Sequence, residues 1–347
     1  MRPLFRHSMI VVCALLVLTG IAALLFAANN GFKLFHLHSA YVRQGVTYQK
    51  GLVDYRPDGP YFNYGNWAFD PKSAALSPEG LPWVQYDGVN HLNPVAAAEY
   101  GLTLHHLWLK GEIAGLDVAR VAQGLIGLQD AKGAFRFPFR WRHYLNARPY
   151  EPGWVSGMAQ GQALSLFSRT YRITGDRSFI EAGRKALDFL QVPLDRGGPM
   201  ATLAAINPDW SENIFFEEYV LDPPVYTLNG FIYVLLGLYD WSKLPDGTIP
   251  DAERALAADL FRRGLASLEK LLPLYSPDLW SVYDLGYLTH GGEPHYSARY
   301  HGTHIYQLTV LAGISGSAVI GNTAARWASW VDPEISTYHR VATWRYR

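Results

Sequence analysis

Residues 156–190 read SGMAQGQALSLFSRTYRITGDRSFIEAGRKALDFL, and this stretch decides the fold. Apolar residues recur at helical spacing from Ser156 to Ile173 and again from Arg177 to Leu190. Gly175 and Asp176 interrupt the pattern, and Asp is a favoured residue at the start of a helix. The stretch therefore predicts two antiparallel helices that are joined by a tight turn.

The helical pattern recurs along most of the chain. One run follows Asn93 and Pro94, a cap residue and a proline at the first helical position. The further predicted helices are Val95–Lys110, Val118–Gln129, Leu228–Trp241, Asp251–Leu272, His301–Ile314 and Thr323–Trp330. This succession predicts a mainly α fold, either an α/α toroid with a cleft at one end or a plain helical bundle.

Two regions carry strand patterns instead. Residues 61–67 and 82–88 combine aromatic residues with Asn, Gly and Pro, which predicts short strands and turns. Aromatic and basic residues alternate between Gly133 and Tyr150, which predicts a strand or hairpin. We expect three parts: residues 1–29 with a membrane-spanning helix, 30–92 as an extended or β-hairpin region packed on the main domain, and 93–347 as the helical domain.

The N-terminal segment has the pattern of a signal anchor. Arg2, Arg6 and His7 precede an apolar stretch from Met9 to Ala28, about 20 residues, which as a helix matches the thickness of a bilayer. Positive charge ahead of the stretch predicts a single-pass type II membrane protein whose main domain is extracytoplasmic, lumenal or periplasmic. The length favours an uncleaved anchor, although the residues around Ala28 also permit cleavage of a signal peptide.

Composition argues against several other classes of protein. The 30 basic and 30 acidic residues balance to zero net charge, whereas proteins that grip nucleic acid usually carry a basic excess. The single cysteine, Cys13, cannot form an internal disulfide. No GxGxxG after a strand, GK[ST], GxSxG or HExxH motif occurs, so we expect no nucleotide cofactor and no metal. The glycines of Gly157–Gln162 are instead expected to permit close packing of helices.

Three clusters carry residues that are suited to acid–base chemistry, and they are Phe215–Tyr219, Ser281–Leu285 and Ser297–His304. Acids and tyrosines at the ends of elements also have structural explanations, as partners of helix dipoles or as core residues. Glu218 and Asp284 could form the paired carboxylates of a glycosidase, which their separation would test. His301 and His304 have a spacing that allows metal ligation, but no HExxH motif or cysteine accompanies them.

Together these clusters resemble the catalytic domain of the glucuronyl C5-epimerases, the enzymes that form iduronate in heparan-type chains. The matching segments occur in the family's order from about residue 93 to residue 310. They are Asn93-Pro94-Val95, Tyr100-Gly101-Leu102, Gly153–Ala163, Phe216–Tyr219, Leu228–Tyr233, Gly237–Asp240, Tyr283-Asp284-Leu285, Ala298–His301 and Thr303-His304-Ile305. Several motifs in register make the resemblance specific.

The resemblance implies an α/α toroid of the incomplete (α/α)6 type and a uronate-containing polysaccharide as substrate. It places Glu218, Tyr219, Tyr283 and Tyr300 at the reaction site. Asn229 and Arg299 fall at substrate-contacting positions, and the further predicted contacts are His301, Gln160, Gln162 and Arg140. The oligomeric state is left open, with a homodimer among the alternatives.

The chain departs from the family pattern in three places, one of which is a shorter last motif with Arg299 directly next to Tyr300. Animal relatives carry a β-rich domain between the helices of Tyr100-Gly101-Leu102 and Gly157–Gln162, where this chain has only a short hairpin-like stretch. Calcium binding associated with that domain is therefore not expected. Relatives also have a basic residue directly after Tyr-Asp-Leu, where this chain has Gly286, so the pattern supports no claim about sulfated substrates.

Inversion at C5 requires acid–base groups on both faces of the sugar ring. We predict that Glu218 and Tyr300 form this opposed pair, while Tyr219 and Tyr283 orient the substrate or relay protons. A tyrosine titrates near about pH 10, so a phenolate at neutral pH needs a cation beside it, and Arg299 is the predicted activator.

The sugar carboxylate must also be neutralised while C5 loses its proton. Arg299, Asn229 and His301 are the candidates for this task. The basic and aromatic stretch from Arg136 to Arg148, which includes Arg140, either holds a polyanionic chain or forms a solvated hairpin.

Three other functions remain alternatives at this point. A uronate polysaccharide lyase would remove the same C5 proton and then expel the C4 substituent, giving unsaturated ends that absorb ultraviolet light. A glycoside hydrolase would instead release new reducing ends. A membrane-tethered glycan-binding protein with an inactive site would do neither.

Overall fold

The computed structural model describes residues 18–21, 24–25, 54–62, 74–146, 148–277 and 280–330. Most of the predicted anchor, Met9–Ala28, lies outside these residues, as do residues 63–67 of the first predicted strand region. Within the described ranges, no helix combines the length and the apolar character that crossing a bilayer requires.

Helices dominate the described chain, as predicted, and the long ones follow each other in pairs. The pairs are α1 (Pro94–Leu109) with α2 (Gly115–Ile126), α3 (Gly157–Thr174) with α4 (Ser178–Leu190), α5 (Leu228–Ser242) with α6 (Asp251–Leu271), and α8 (Ala298–Ser315) with α9 (Ala318–Ser329). The short helix α7 (Gly286–Thr289) precedes the last pair.

The first helix of each pair packs against the first helix of the next pair. Helix α3 contacts α1 and α5, and α5 also contacts α8. Nearly every side chain of α5 is buried, which is the pattern of a helix that other helices surround. The packing confirms a mainly α fold built from helix hairpins, while closure of the hairpins into a toroid stays a prediction.

Glycines set the close contact between α3 and α5. A Cβ atom on Gly161 would lie 2.4 Å from the Cα of Val234, and one on Gly237 would lie 2.1 Å from the carbonyl oxygen of Gly161. Both distances are far below van der Waals contact, so only glycine permits this approach. The glycine-containing motif therefore serves helix packing, as the sequence predicted.

Three helices, α2, α8 and α9, begin earlier than their apolar patterns predicted, and α2 begins at Gly115 instead of Val118. Helix α8 begins at Ala298 because the Ser297 hydroxyl accepts a hydrogen bond from the Tyr300 amide at 3.5 Å. Helix α9 begins at Ala318, since Ser317 accepts from the Ile320 amide at 3.3 Å. Serine caps thus define the starts of α8 and α9, and Tyr300 falls in the first turn of α8.

Short antiparallel pairs make up the described β-structure. Strands β1 (Trp83–Tyr86) and β2 (Val89–Leu92) form the predicted hairpin, and Asp87 and Gly88 at its two-residue turn both have positive φ. Strands β3 (Met200–Thr202) and β4 (Ile214–Phe216) pair before α5. Residues 133–150 were predicted as a strand or hairpin, and those that the structure describes carry isolated bridges, such as Phe137 with Trp154, instead of a continuous ladder.

A buried ion pair attaches residues 54–62 to the helices. The Arg169 guanidinium on α3 lies 2.5 Å from the Asp240 carboxylate on α5, and both side chains are fully buried. Tyr55 joins them, because its hydroxyl donates to Asp240 at 2.8 Å and accepts from Arg169 at 3.0 Å. This contact packs the extended region on the main domain, although the domain boundary itself remains a prediction.

Candidate active site

A cavity of about 310 Å³ lies where the β1–β2 hairpin, the segments 137–141 and 154–156, the loop after β4 and the starts of α1, α5 and α8 meet. Its aromatic lining includes Tyr86, Phe137, Phe139, Trp141, Trp154 and Tyr233. Its polar lining includes Glu99, Glu218, Tyr219, Asn229, Arg299 and Tyr300. The combination of aromatic walls and a few convergent polar groups is typical of sites for small ligands.

Stacking fixes the aromatic walls. The rings of Phe137 and Trp154 are parallel within 15° at a centroid distance of 3.7 Å, and Trp141 stacks on Tyr219 at 4.8 Å. Tyr86 stacks on Phe139 at 4.5 Å. Rings that are locked in this way offer broad apolar faces at little conformational cost, which suits the packing of a sugar ring.

The two adjacent acids after β4 have different environments. Both oxygens of Glu217 accept from the Tyr226 amide, at 3.0 and 3.2 Å, so this buried carboxyl holds the loop that precedes α5. Glu218 points into the cavity instead, and its Oε2 has no hydrogen-bond partner within the described part of the chain. The chain bends at Glu218 just after β4, and the two neighbouring carboxyls have separate surroundings, one structural and one at the cavity.

Burial changes the acidity of Glu218. Desolvation raises its pKa to about 7, a hydrogen bond with Tyr219 opposes the rise, and the charges of Glu99 and Asp284 add to it. A carboxyl with this pKa is partly ionised near neutral pH and is a much stronger base than an exposed glutamate. It can therefore accept a proton from carbon and also give one back.

Three tyrosines extend from Glu218 in a continuous chain. Tyr219 hydrogen-bonds Glu218, the hydroxyl oxygens of Tyr219 and Tyr283 are 3.3 Å apart, and Tyr283 in turn hydrogen-bonds Tyr300. Tyr219 and Tyr300 line the cavity, whereas Tyr283 lies behind them and is 5% exposed. The backbone amide of Leu228 donates to the Tyr283 carbonyl at 3.1 Å, which pins this loop to the start of α5.

Tyr300 is protonated at neutral pH, which corrects the expectation of an activated phenolate. Burial and the charge of Glu218 raise its pKa to about 12, and the nearby Arg299 only partly opposes them. Arg299 is exposed, so water screens its charge. The phenol is suited to donate a proton rather than to remove one.

The first turn of α5 completes the polar side of the cavity. Asn229 lines it, and the Asn229 Oδ1 atom is buried with no hydrogen-bond partner among the described residues. Position 230 requires glycine because Glu218 leaves no room for a side chain there. A Cβ atom on Gly230 would lie 2.3 Å from Glu218 Oε2. The Asn-Gly pair thus supplies one ligand-facing amide and one gap for the acid.

His301 does not reach the cavity, contrary to the prediction that it contacts substrate. Successive residues of a helix point about 100° apart, so Tyr300 and His301 in α8 face different sides. The His301 ring is fully buried, and Ser281 donates to its Nδ1 from the backbone amide at 3.1 Å. The Ser281 hydroxyl also lies 2.9 Å from Nδ1 of both His301 and His304.

Burial lowers the pKa of His301 to about 3, so the ring is neutral and adds no positive charge to the site. The two histidines of α8 share Ser281, and His301 stacks on Trp280 and Trp330, which is a structural role. Among the residues that the structure describes, no group of three or more His, Cys, Asp or Glu is placed to hold a metal ion.

Three other predicted substrate contacts also lie outside the cavity lining. Gln160 is buried, and in its satisfied orientation it bonds the Gly133 carbonyl at 3.1 Å and the Phe135 amide at 3.0 Å. Gln162 lies outside the lining and donates from Nε2 to Oε1 of the lining residue Glu99 at 3.2 Å. Arg140 is exposed and pairs with Glu151 at 2.6 Å.

Asp284 has structural partners of its own. Its two oxygens accept from the Tyr144 hydroxyl, at 2.8 and 2.7 Å, and Oδ1 also accepts from the Gly286 amide at 2.9 Å. Its side chain is 1% exposed and does not line the cavity. A pair of catalytic carboxylates formed by Glu218 and Asp284 is therefore not favoured.

Sequence reasoning missed Glu99 and the role of the aromatic residues. Glu99 is a charged residue within the apolar run of α1, and that contrast was the signal that could have identified it. The alternation of Phe137, Phe139 and Trp141 with basic residues predicted either polyanion binding or a solvated hairpin, and neither interpretation placed these rings at the site. In extended backbone the alternation directs the rings into the cavity and Arg140 outward.

Comparison with known proteins assigns the chain to a family. Residues 129–329, more than half of the chain, match the family described as D-glucuronyl C5-epimerase C-terminus.

The chain belongs to the D-glucuronyl C5-epimerase family.

Two curated relatives place the family match in context. A D-glucuronyl C5-epimerase of Caenorhabditis elegans is 32% identical over 216 residues, which are 60% of this chain and 34% of the relative. An uncharacterized protein of Methanocaldococcus jannaschii is 28% identical over 173 residues, 49% of this chain and 50% of that protein. The matches thus span about a third to a half of these relatives. Membership of this epimerase family supports epimerase activity as the class of function. It also confirms the resemblance to the family's C-terminal catalytic domain that the motifs predicted.

Proposed function

We propose that this chain inverts C5 of D-glucuronate residues to L-iduronate within a polysaccharide, by two-sided proton transfer. One observation carries the proposal: Glu218, Tyr219, Tyr300 and Arg299 line a single cavity, and Tyr283 connects the two phenols behind it. The family relationship supports the epimerase class, and the aromatic walls suit a sugar substrate.

Glu218 is the base in this proposal. It takes the C5 proton, and the electron pair of the broken C–H bond moves into the sugar carboxylate, which becomes an enediolate with a second negative charge. A pKa of about 7 leaves Glu218 partly ionised at neutral pH while keeping it basic. The Arg299 guanidinium and the Asn229 amide stabilise the added charge, and such electrostatic stabilisation is usually the largest contribution to catalysis.

Tyr300 is the acid on the opposite face. Its hydroxyl proton forms the new C5–H bond, and the electron pair returns from the enediolate to C5. The phenolate that remains is close to Arg299, which lowers the pKa of Tyr300. The proton held by Glu218 then returns to Tyr300 through Tyr219 and Tyr283, each of which accepts one proton and donates another, so the site is restored without a net change in protons.

Exchange at C5 tests the proposal directly. The chain is incubated with an unsulfated glucuronate polymer in deuterated water, and NMR follows C5. We expect deuterium at C5 together with iduronate signals. Glu218→Gln and Tyr300→Phe should slow the exchange by at least about a hundredfold, because each removes a positioned acid–base group. Tyr171→Phe, near the end of α3 and outside the cavity lining, is the matched control and should leave the rate unchanged.

Each other outcome has a distinct meaning. Exchange at the wild-type rate in both site variants would refute the assigned roles. Formation of ultraviolet-absorbing unsaturated ends would identify a uronate lyase, and binding without any C5 exchange would identify a glycan-binding protein.

A further inference from the structure

The helices that begin at the cavity differ in how their first turns are capped. Residues from the starts of four helices line the cavity, namely Asn93 and Val95 at α1, Ser156 and Met158 at α3, Asn229 at α5, and Arg299 and Tyr300 at α8. The side chains of Asn93 and Ser297 accept hydrogen bonds from first-turn amides and so cap α1 and α8. Ser156 stands at the same position before α3 but makes no such bond. The start of α3 is therefore left without a side-chain cap.

The Ser156 hydroxyl is buried without a partner. The side chain is 1% exposed, and its Oγ atom makes no hydrogen bond to any described residue. Buried hydroxyls are nearly always hydrogen-bonded in folded proteins, so an exception calls for an explanation. Trp154 and Ser156 both line the cavity, whereas Val155 between them packs in a separate apolar cluster. The unpartnered hydroxyl therefore belongs to the cavity side of the chain.

Two backbone amides accompany this hydroxyl. The amide of Gly157, the first residue of α3, donates to the Glu217 carbonyl at 2.9 Å. The amides of Met158 and Ala159 come too early in the helix to bond within it, and neither donates to another described residue. Because Glu217 directly precedes Glu218, the start of α3 is fixed beside the proposed base.

Donors at the start of a helix favour a bound anion, since the amides and the helix dipole both attract negative charge. Glu218 does not fill this position, because it hydrogen-bonds Tyr219 and its Oε2 has no partner among the described residues. The anionic group of a uronate is its carboxylate. When C5 loses its proton, the electron pair enters this carboxylate, and donors that are already in place stabilise the added charge most effectively.

We propose that the start of α3 binds the uronate carboxylate through the Ser156 hydroxyl and the amides of Met158 and Ala159, and stabilises the enediolate formed from it. The inference rests on the function proposed above and adds a binding group to the same cavity. Ser156 donates a hydrogen bond and keeps its proton, so the proton transfers of Glu218 and Tyr300 stay balanced.

Ser156→Ala removes the hydroxyl while leaving the backbone amides. We expect kcat for C5 exchange on an unsulfated glucuronate polymer to fall at least about tenfold, because a donor to a developing oxyanion contributes mainly in the transition state. The midpoint of thermal unfolding should stay unchanged, since this serine does not cap its helix. Should Ser156→Ala fail to fold, Ser156→Gly removes the same hydroxyl, and glycine is well accepted before a helix.

Ser317→Ala is the matched control, because Ser317 does cap its helix. Its hydroxyl accepts from the Ile320 amide at 3.3 Å at the start of α9, and it does not line the cavity. This variant should unfold at a lower temperature but keep its rate per folded molecule. If Ser156→Ala behaved in the same way, with lower stability and an unchanged rate, the serine would be structural and the proposal wrong.

Binding gives a readout that does not depend on turnover. The native polymer is compared with a carboxyl-reduced polymer, in which each glucuronate is converted to glucose. Intrinsic tryptophan fluorescence follows both, since Trp141 and Trp154 stand in the cavity wall. We expect Ser156→Ala to bind the native polymer about tenfold more weakly, the order expected for one hydrogen bond to a charged group, and the reduced polymer as the wild type does.

The outcomes separate this inference from the proposed function. Unchanged binding of the native polymer by Ser156→Ala, or an equal loss for both polymers, would overturn the carboxylate site, while C5 exchange by the wild type would keep the epimerase. Binding that depends on both the carboxylate and Ser156, without any exchange, would keep the site and overturn the epimerase. Absence of both binding and exchange would overturn both.

Discussion

At the scale of single residues, two adjacent glutamates with the same chemistry have separate tasks. Both oxygens of Glu217 accept from the Tyr226 amide, whereas Glu218 lines the cavity and its buried Oε2 has no hydrogen-bond partner among the described residues. Desolvation explains why Glu218 has a pKa near neutrality, and the neighbouring phenols accept or donate protons next to it. The reactivity comes from burial and from neighbours, since the residue type alone would give a weak base.

The pH dependence of the reaction follows from this pKa. Burial raises the pKa of Glu218 from 4.5 to about 7, so protonation below that pH removes the base. We expect kcat/KM for C5 exchange to fall about tenfold for each pH unit below about 7 and to level off above it, because this parameter reports the free enzyme. Tyr300 stays protonated across this range, since its pKa is about 12.

The measurement is a kcat/KM profile from mildly acidic to mildly alkaline pH, with far-ultraviolet circular dichroism as a control for folding. A midpoint near the ordinary value of an exposed glutamate, about 4.3, would contradict a buried base at Glu218. A flat profile would show that another group removes the proton.

At the scale of elements, the starts of two helices assemble the site. The first turn of α8 carries Arg299 and Tyr300, and the first turn of α5 carries Asn229 and Gly230. The apolar pattern predicted both helices, but the start of α8 depended on the Ser297 cap. The rotation of α8 then decided that Tyr300 and Thr303 line the cavity while His301 and His304 are buried.

Gly230→Ala tests the fit between α5 and the loop after β4. The added Cβ atom would lie 2.3 Å from Glu218 Oε2 and 2.6 Å from Glu218 Cβ, so the acid must move. We expect C5 exchange to fall about a hundredfold, since a displacement near 1 Å at a reacting group has an effect of that size.

Gly264→Ala on α6 is the matched control for helix packing. Its Cβ atom would lie 2.4 Å from a methyl group of Leu235, far from the polar side of the cavity. It should change the midpoint of thermal unfolding but leave the rate per folded molecule unchanged. Equal rates in both variants would contradict the steric role of Gly230.

At the scale of the whole molecule, the helix hairpins bring residues from distant parts of the chain to one cavity. The ion pair between Arg169 and Asp240 joins α3 and α5, and Tyr55 ties the extended region to both. The hydrogen bonds of Arg169 also reach the carbonyl groups of Gly59 and Ser165. This network holds together the scaffold that positions the site.

Arg169→Met should destabilise the fold by about 3–5 kcal/mol, because it leaves the buried Asp240 carboxylate without its partner. Urea unfolding measures the change in the free energy of unfolding. Lys110→Gln breaks an ion pair with Glu112 in which both side chains are about half exposed, and it should change stability by less than about 0.5 kcal/mol. Similar effects of the two substitutions would show that the buried pair is not a main support of the fold.

Local patterns in the sequence determined which segments are helical, where most of them end, and which motifs relate the chain to its family. Caps and apolar periodicity act over a few residues, so they can be recognised without knowledge of the fold. Only the tertiary structure decided that the Tyr226 amide holds the Glu217 carboxyl, that Tyr283 lies behind the phenols, and that Glu99 belongs to the site. These outcomes depend on packing between segments that are far apart in the chain, and burial by those segments also sets the acidity of each group.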